Sequence, residues 1–402
     1  MSSQTLSRSQ EILARDAKHN AGLWSPSIVF THGQGVKIYD ADGNEYLDCM
    51  AGIAVASVGH GNDHLAEALA KQAKRLIICS QAHGNDVRAD FYDKLMQFLP
   101  AELGLTRIFM ANSGSEVNEA ATKWAKAATG RKHFIAAKRG FSGRTHGVLP
   151  LTWEKKYREP FGPYENSTTF ISYNNIAELE EAVSDQTAAI FLEPVQGEGG
   201  MYPVETEFLL AARRIADKHG ALLIMDEVQS GVGRTGKFLA IEHHGVRPDM
   251  VTLAKGLGGG VPLGVLLMSE EVALKMPKGG HGTTFGGNAL ASAAGLAVLE
   301  EIERLDLINH AWEVGNYFQE RLRGMGSSKI RTVRGLGLMI GVEMKSKVAP
   351  YISALKDKGV IVINAGATVI RLVPPLIITK AEVDEVVKRL AEVLNQDLDE
   401  QE

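Results

Sequence analysis

Residues 250–269 read MVTLAKGLGGGVPLGVLLMS, and this stretch decides the fold. Its two apolar runs, residues 250–254 and 264–269, are apolar on both faces, which is typical of strands in a covered, largely parallel sheet. Lys255 follows the first run directly, and four of the next five residues, 256–260, are glycine. Because glycine lets a backbone approach a bulky ligand closely, the stretch predicts a strand that ends at a functional lysine.

Similar apolar runs recur between residues 106 and 269, and helical patterns separate them. The earlier runs include TRIFMA (106–111), HFIAAK (133–138), AAIFLEPV (188–195) and ALLIMD (221–226). This alternation of strand and helix predicts an α/β domain with a mostly parallel central sheet and helices on both faces.

The pattern changes after residue 290, where a long helical stretch leads to the strand-like segments RTVRGLGLMIGVEM, VIVINAG and VIRLVPP. We therefore predict a large domain at residues 61–289 and a smaller α+β domain at residues 290–402. Residues 1–60 contain a DADG turn between strand-like segments, which is typical of a hairpin. We expect this N-terminal segment to pack with the smaller domain.

The composition is that of a globular protein, with 45% hydrophobic and 23% charged residues among 402. A net charge of −5 provides no overall basic field for nucleic acid. No apolar run reaches the ~18–20 residues of a membrane span, and the N-terminus has no apolar signal core. We therefore expect a cytoplasmic protein without a nucleic-acid or membrane partner. Cys49 and Cys79 are expected to be reduced thiols, and no cluster predicts a metal site.

The segment ANSGSEVNEAA (111–121) predicts a strand end, a short polar loop and the start of a helix. Ser113 and Glu116 have the spacing of a capping box. Such a junction presents free backbone N–H groups and the positive end of the helix dipole, which together bind phosphate. A plain helix cap is the alternative interpretation.

Asp226 ends the apolar run ALLIMD, as Lys255 follows the next such run. Neighbouring strand ends in one sheet could bring both side chains into a single crevice. A lysine amine can hold an aldehyde cofactor as a Schiff base, and an aspartate can keep a pyridine nitrogen protonated. The GxGxxG match at residues 231–236 does not indicate a dinucleotide site, because no helical pattern follows it and no acidic residue has the required spacing.

The sequence resembles the class III (subgroup II) pyridoxal-phosphate aminotransferases of fold type I. The resemblance rests on YLDCMAGIAVASVGHGN, NSGSE, GFSGRT, LEPVQGEGG, DEVQSGVGRTG, LAKGLGGGVPLG, TTFGGN and IRLVPPL, which follow one another along nearly the whole chain. Within the class it is most similar to acetylornithine aminotransferases. It is closest to the branch that acts on acetyl-lysine or on lysine held by an amino-group carrier protein.

The resemblance implies a pyridoxal 5′-phosphate site and a homodimer with shared active sites. Lys255 would bind the cofactor aldehyde and carry a proton during the reaction, and Asp226 would pair with the pyridinium nitrogen. The other implied contacts are Gly114 and Ser115 with the phosphate, Phe141 and Val228 on the two ring faces, Gln229 with the ring hydroxyl, and Thr284 with the phosphate of the partner subunit.

The resemblance also implies two carboxylate-binding arginines. Arg144 would bind the α-carboxylate of an N-acylated diamino acid, and Thr283 would contact the same substrate. Arg371 would bind the α-carboxylate of 2-oxoglutarate or glutamate. Glu198 would pair with Arg371 and mask it while the terminal amine reacts. Arginine suits both sites because its planar fork matches a carboxylate.

The expected reaction moves the terminal amine of N2-acetylornithine, N2-acetyl-lysine or carrier-linked lysine to 2-oxoglutarate, in arginine or lysine biosynthesis. Aminotransfer from free ornithine or 4-aminobutyrate is the alternative within the class, and an aminomutase is the alternative of another class. Many relatives carry histidine where this chain has Ser142, which leaves strict acetylornithine specificity open. Glu193 is interpreted as a carboxylate that shapes the site.

Overall fold

A computed structural model describes residues 6–396 and 398. The strands, in chain order, are β1 (Phe30–Gln34), β2 (Lys37–Asp40), β3 (Glu45–Asp48), β4 (Arg107–Ala111), β5 (His133–Ala137), β6 (Ser167–Ile171), β7 (Thr187–Leu192), β8 (Val195–Gln196), β9 (Tyr202–Pro203), β10 (Leu222–Asp226), β11 (Met250–Leu253), β12 (Gly264–Met268), β13 (Ile330–Leu336), β14 (Met339–Met344), β15 (Val360–Ile361), β16 (Ile363–Ala365) and β17 (Val369–Leu372).

Helices of 4 to 18 residues lie between the strands. They are α1 (Arg8–Asp16), α2 (Ala51–Ala54), α3 (Asp63–Arg75), α4 (Asp86–Gln97), α5 (Gly114–Thr129), α6 (Lys155–Arg158), α7 (Ile176–Ala182), α8 (Thr206–His219), α9 (Glu270–Ala273), α10 (Ala289–Arg304), α11 (Leu307–Gly324), α12 (Ala349–Asp357) and α13 (Lys380–Leu394). In the part of the chain that the structure describes, none of them has the length and apolar character to cross a membrane.

The central sheet has seven strands in the order β4-β12-β11-β10-β7-β5-β6. The five strands from β11 to β6 are parallel, and β12 runs antiparallel to both of its neighbours. The predicted α/β class with a mostly parallel sheet is confirmed. The sequence analysis missed β6, because this edge strand buries only its last residue and lacks the continuous apolar run of the inner strands.

Two smaller four-stranded sheets complete the fold. One has the order β13-β14-β17-β16 and is antiparallel, and the other has the order β1-β2-β3-β15. The hairpin predicted at the DADG turn is present, because β2 and β3 are antiparallel. β15 then joins β3 in parallel, so that residues from both ends of the chain form one sheet. The domain boundaries at residues 60 and 289 stay a prediction.

The helix α11 packs closely against the turn between β13 and β14. Gly315 in α11 is buried, and a Cβ atom there would overlap the backbone of Gly337. Gly324, at the end of the same helix, is exposed and has open space around its Cβ position.

Gly315→Ala should therefore destabilise the protein by about 1–3 kcal/mol, because the added methyl group forces α11 away from the turn. Gly324→Ala is the matched control and should be neutral or stabilise by up to about 1 kcal/mol, because it only restricts the unfolded chain. Differential scanning calorimetry of both variants measures the effect. Equal unfolding midpoints for the two variants would contradict the close packing.

Candidate active site

A cleft of about 470 Å³ opens at the carboxyl ends of β10 and β11 and faces the start of α5. Eight of the twelve predicted site residues line it, and Arg144, Thr283, Thr284 and Arg371 do not. The lining includes Gly114, Ser115, Phe141, Glu193, Glu198, Asp226, Val228, Gln229 and Lys255. The parallel pairing of β10 with β11 sets Asp226 beside Thr252, so the aspartate and the lysine reach the same cleft as predicted.

Asp226 is buried at 4% exposure and is held by several hydrogen bonds. Asn118 Nδ2 donates to its Oδ2 (2.7 Å), and the Val228 N–H donates to its Oδ1 (3.1 Å). Burial raises the pKa of Asp226 to about 6, although these hydrogen bonds and the charge of Lys255 oppose the rise. The carboxylate is thus ionised at neutral pH and is fixed in one orientation.

Lys255 lies at the start of a short turn after β11, in the left-handed region of backbone space with φ of 42°. A non-glycine residue pays about 1–3 kcal/mol for such a conformation, and this strain is typical of functional sites. Burial, followed by the charge of Arg371, lowers the pKa of Lys255 to about 8. At pH 7 about a tenth of the amine is therefore neutral and nucleophilic, whereas a lysine with the ordinary pKa of about 10.4 is almost entirely charged.

The glycines after Lys255 have a different role from the one expected. Gly260 lines the cleft. At Gly256, a Cβ atom would collide with the Ser57 hydroxyl, and at Gly259 it would lie 2.7 Å from Leu65. Two of the four glycines therefore allow the turn to pack against the protein itself, and Gly260 is the one that borders the space for a ligand.

The start of α5 presents its backbone to the cleft. Ser113 Oγ accepts a hydrogen bond from the Glu116 N–H (3.3 Å), which is half of the predicted capping box. Glu116 bonds instead to the Asn112 N–H (2.6 Å), one residue before the cap. Gly114 has no room for a side chain, because its Cβ would lie 2.8 Å from Val228. The N–H groups at Gly114 and Ser115 thus border the cleft at the positive end of the helix.

Glu193 lies behind Phe141 and shapes the loop that follows β5. Its carboxylate accepts hydrogen bonds from the N–H groups of Phe141 and Gly197, both at 3.0 Å. Burial and the nearby charge of Asp226 raise the pKa of Glu193 to about 8. These contacts support its interpretation as a carboxylate that shapes the site.

Arg371 of β17 enters the same region from the smaller antiparallel sheet. It is 1% exposed, and its Nη1 donates to Glu198 Oε1 (2.7 Å) and to Gln229 Oε1 (3.3 Å). Glu198 is 41% exposed and belongs to the loop between β8 and β9. A buried cation is thus paired with a carboxylate that reaches solvent. The structure brings together the pair that the resemblance implied.

Arg144 lies at the mouth of the cleft and is exposed. Its guanidinium carbon lies 3.5 Å from the centre of the Tyr157 ring and 5.6 Å from that of Phe141. Its backbone N–H donates to Ser115 Oγ (3.3 Å), which links this loop to the start of α5. The arginine is held by an aromatic face and keeps its N–H groups available for an anion.

The segment TTFGGN lies at the edge of the cleft. Thr283 Oγ1 accepts a hydrogen bond from Asn112 Nδ2 (3.0 Å), and Asn112 lines the cleft. Thr284 is exposed and does not line this cleft. Its predicted contact with the partner subunit stays a prediction.

Asn118 is a residue of the site that the sequence analysis missed. It is 2% exposed, and its Nδ2 bonds to both Asp226 and the Ser142 carbonyl. A signal was present, because Asn118 follows Gly114 and Ser115 by four and three residues and so lies on the same face of α5. A buried amide on a helix side that is otherwise apolar needs polar partners.

Comparisons with known proteins agree with this fold and site. The model of the family aminotransferase class-III matches residues 20–394. The chain is 49% identical to the [LysW]-aminoadipate semialdehyde transaminase of Deinococcus radiodurans, over 95% of this chain and 90% of that protein. It is 42% identical to the acetylornithine aminotransferase of Archaeoglobus fulgidus, over 94% of this chain and 98% of that protein.

A solved structure extends the comparison. The ornithine aminotransferase of Toxoplasma gondii, a structure with partial occupancy of pyridoxal phosphate at its active site, superposes with a TM-score of 0.91 at 30% identity, over 97% of this chain and 95% of that chain. The fold and cleft are those of a pyridoxal-phosphate-dependent transferase of fold type I. The chain belongs to the class III aminotransferases, and it is an aminotransferase that depends on pyridoxal phosphate.

The pKa of Lys255 gives a test that needs no turnover. In the cofactor-free protein, reductive methylation of Lys255 by formaldehyde and cyanoborohydride should reach half of its maximal rate near pH 8, because only the neutral amine attacks the aldehyde. Lys255 in the denatured protein is the control, because an unfolded lysine has the ordinary pKa of about 10.4. Peptide mass spectrometry follows the Lys255 peptide in both samples. The same midpoint in the native and the denatured protein would show that the cleft does not lower the pKa of Lys255.

Proposed function

We propose that this enzyme transfers the terminal amino group of an N2-acylated diamino acid to 2-oxoglutarate. N2-acetylornithine, N2-acetyl-lysine and carrier-linked lysine are the proposed donors, and the products are the corresponding semialdehyde and glutamate. This reaction serves arginine or lysine biosynthesis. The ion pair between Arg371 and Glu198 is the observation that carries the proposal.

The residues of the cleft fit pyridoxal phosphate. Gly114 and Ser115 offer N–H groups to a phosphate, and Asp226 offers a buried carboxylate to a protonated ring nitrogen. The Oδ1 atom of Asn118 is buried and has no hydrogen-bond partner among the described residues, which leaves one acceptor for a donor group beside Asp226. Phe141 and Val228 both line the cleft and would contact the two ring faces, and Gln229 would reach the ring hydroxyl.

The bound cofactor supplies an aldehyde that takes up the amino group and a ring that accepts electrons. Asp226 keeps the ring nitrogen protonated, since Asn118 and the Val228 N–H hold it in place. Lys255 Nζ removes a proton from the substrate carbon that bears the amine and later returns one. Its lowered pKa suits this role, because a base works best with a pKa near the working pH.

Arg144 binds the donor at the mouth of the cleft. Its position on the Tyr157 ring leaves the guanidinium fork free to bind the α-carboxylate of an acylated diamino acid. Thr283 would contact the same substrate and is held by a hydrogen bond from Asn112, which lines the cleft. The terminal amine at the other end of this substrate then reaches Lys255. The acyl group blocks the α-amine of the donor. The donor therefore cannot bind in the reverse orientation and react at its α-amine.

Arg371 binds the second substrate, 2-oxoglutarate, or its product glutamate. When 2-oxoglutarate or glutamate binds, its α-carboxylate takes the place of Glu198 on Arg371. When the acylated donor binds, Glu198 returns and keeps the buried cation paired. A charge that is 1% exposed has a large cost without a partner, so the exchange of one carboxylate for another keeps it compensated in both half-reactions.

We further propose that the active form is a homodimer. An exposed apolar surface lies next to the cleft and is formed by Leu76, Ile77, Ile78 and Phe285, with exposures of 46–62%. Gln81 holds this surface together, because its Nε2 donates to the carbonyls of Met110 (2.7 Å) and Gly286 (2.8 Å). Exposed large apolar side chains in such a group are typical of a protein interface, and an interface here would bring Thr284 to the active site of the partner subunit.

The reaction is tested by the visible absorbance of the cofactor-loaded enzyme with one substrate at a time. N2-acetylornithine or N2-acetyl-lysine should convert the cofactor to its amine form, and 2-oxoglutarate should reverse the change. Faster conversion by free ornithine or 4-aminobutyrate would instead favour those aminotransferases. Isomerisation of the donor without 2-oxoglutarate would favour an aminomutase.

Glu198→Gln tests the ion pair between Arg371 and Glu198 on which the proposal rests. Arg371 should lose its charged partner during the donor half-reaction, so kcat/KM for N2-acetylornithine should fall about tenfold or more. The half-reaction with glutamate should change by less than about threefold, because glutamate supplies its own carboxylate to Arg371. Single-turnover absorbance measures both.

Glu154→Gln is the matched control, since Glu154 is exposed and lies on the entrance side of the cleft without pairing to Arg371. It should leave both half-reactions unchanged. An equal loss of the two half-reactions in Glu198→Gln would show that Glu198 does not mask Arg371.

Phe285→Asp tests the dimer. A charge on the exposed apolar surface should shift the protein toward the 43.5 kDa monomer in sedimentation velocity and lower its affinity for the cofactor. Leu210→Asp on α8 is the control, because Leu210 is 52% exposed and belongs to a helix on another part of the protein. A Phe285→Asp variant that sediments like the wild type would place the interface elsewhere.

A further inference from the structure

Glu198 lies in a short loop that connects the two strands of a small hairpin. The strands β8 and β9 are antiparallel, and residues 197–201 (GEGGM) connect them. The Met201 N–H closes the loop by donating to the Gln196 carbonyl (2.9 Å). We call residues 197–201 the Glu198 loop. Because Glu198 is the partner of Arg371, the position of this loop decides whether the two charges meet.

One row of residues across the smaller antiparallel sheet faces the Glu198 loop. Arg334 of β13 pairs with Gly341 of β14, and Gly341 pairs with Arg371 of β17. Side chains of directly paired residues in antiparallel strands lie on the same face of a sheet. Arg334 and Arg371 therefore lie on one face, with Gly341 between them. We call these three residues the contact row.

The contact row binds the Glu198 loop at three points. At one end of the row, Arg334 Nε donates to the Gly200 carbonyl (2.7 Å). In the middle, Gly341 leaves room for Met201, because a Cβ atom at Gly341 would lie 2.8 Å from the Met201 Cβ. The ion pair with Glu198 is the contact at the other end. The backbone of the loop is thus held by one arginine, and its carboxylate by the other.

Arg334 is itself fixed by two further contacts. Its side chain is 14% exposed, and its Nη1 donates to Glu343, which is 13% exposed. Its guanidinium carbon lies 3.8 Å from the centre of the Tyr202 ring. The planar fork is stacked on a ring and paired with a carboxylate, so its Nε–H stays directed at the Gly200 carbonyl.

The other end of the Glu198 loop is held from the central α/β part of the chain. The Gly197 N–H donates to Glu193 Oε2 (3.0 Å). The backbone is therefore anchored at Gly197 and at Gly200, on both sides of Glu198. Between these anchors the partly exposed Glu198 side chain can still move.

We propose that Arg334 is a positioning residue, which holds the Glu198 loop on the contact row so that Glu198 reaches Arg371. The inference rests on the proposed function, in which Glu198 pairs with Arg371 during the donor half-reaction. Without the bond from Arg334 to Gly200, the carboxylate would spend less time at Arg371, and the buried cation would lack its partner. Glutamate brings its own carboxylate to Arg371, so the second half-reaction does not need the loop in this position.

Arg334→Lys separates the contact with the loop from the charge. A lysine keeps a positive charge beside Glu343, but it lacks the planar fork that contacts Glu343, Gly200 and Tyr202 together. The ratio of kcat/KM for the better acetylated donor to kcat/KM for glutamate should fall about three- to tenfold. Single-turnover absorbance measures both half-reactions. We call this quotient the donor ratio.

Arg331→Gln is the matched control. Arg331 pairs with the same Glu343 (3.4 Å), but it is 60% exposed and has no hydrogen bond to the Glu198 loop in the described part of the chain. This variant should keep the donor ratio within about twofold of the wild type. An equal drop in Arg331→Gln and Arg334→Lys would assign the effect to the charge of Glu343 and overturn the inference.

Gly341→Ala tests the same loop through another member of the contact row. The added Cβ atom should push Met201, and the loop with it, away from the sheet. The donor ratio should therefore fall in the same direction as in Arg334→Lys. This variant leaves every charge of the contact row in place.

A double-mutant cycle shows whether Arg334 acts through Glu198. In the Glu198→Gln background, Arg334→Lys should change the donor ratio by less than about twofold, because no carboxylate remains to be positioned. A drop of the same size in both backgrounds would show that Arg334 affects the reaction without Glu198. That result would overturn the inference.

Hydrogen exchange of the cofactor-free protein gives a measurement that does not depend on turnover. The Met201 amide is bonded to the Gln196 carbonyl, so its exchange reports opening of the loop. Arg334→Lys should accelerate this exchange about threefold or more, and Arg331→Gln should leave it unchanged. Mass spectrometry of the peptide that contains residues 197–201 measures the rate. Unchanged exchange in Arg334→Lys would overturn the inference.

The outcomes separate this inference from the proposed function. If neither acetylated donor converts the cofactor, or if Glu198→Gln leaves the donor ratio unchanged, the proposed function is wrong and the inference is wrong with it. If Glu198→Gln lowers the donor ratio but Arg334→Lys and Gly341→Ala do not, the masking of Arg371 stands and the positioning role of Arg334 is wrong.

Discussion

The parallel pairing of β10 with β11 is the constraint on which the site depends. It sets Asp226 beside Thr252, so that the acid and Lys255 emerge from adjacent strands at one edge of the sheet. Burial shifts their two pKa values in opposite directions, to about 6 and about 8, because a low dielectric disfavours both the carboxylate and the ammonium. Burial thus favours the neutral form of both groups. The acid still stays ionised at neutral pH, because its hydrogen bonds and the charge of Lys255 limit the rise of its pKa.

Arg371 adds a second constraint, because it brings a buried charge from another sheet. β17 supplies the arginine, whereas Glu198 and Gln229 belong to loops of the central α/β part of the chain. The ion pair therefore neutralises the buried charge and also links the smaller antiparallel sheet to the central α/β part of the chain. Glu198 is the partner that can exchange with a substrate, since it is 41% exposed and Arg371 is 1% exposed.

The sequence could predict Asp226, Lys255 and the start of α5, because each follows a buried strand and polar residues at such positions are informative. It could not predict, from local pattern, that Arg371 and Glu198 meet across 173 residues, and there the family resemblance was needed. Asn118 lies one turn into α5, and the helical periodicity does not by itself show that this face of the helix meets Asp226. The roles of Gly256 and Gly259 depend on Ser57 and Leu65, which are distant in sequence.

The different burial of the two arginines bears on specificity. Arg371 is enclosed, so a substrate that binds it must fit inside the cleft, which suits a small oxoacid. Arg144 is exposed on Tyr157, so a donor that binds it is held at the mouth, with its reactive amine inside and its acyl group outside. In the proposed binding mode the acyl group therefore lies outside the cleft, away from the catalytic residues. Selectivity for the acyl group can then change at the mouth without altering the chemistry at Lys255.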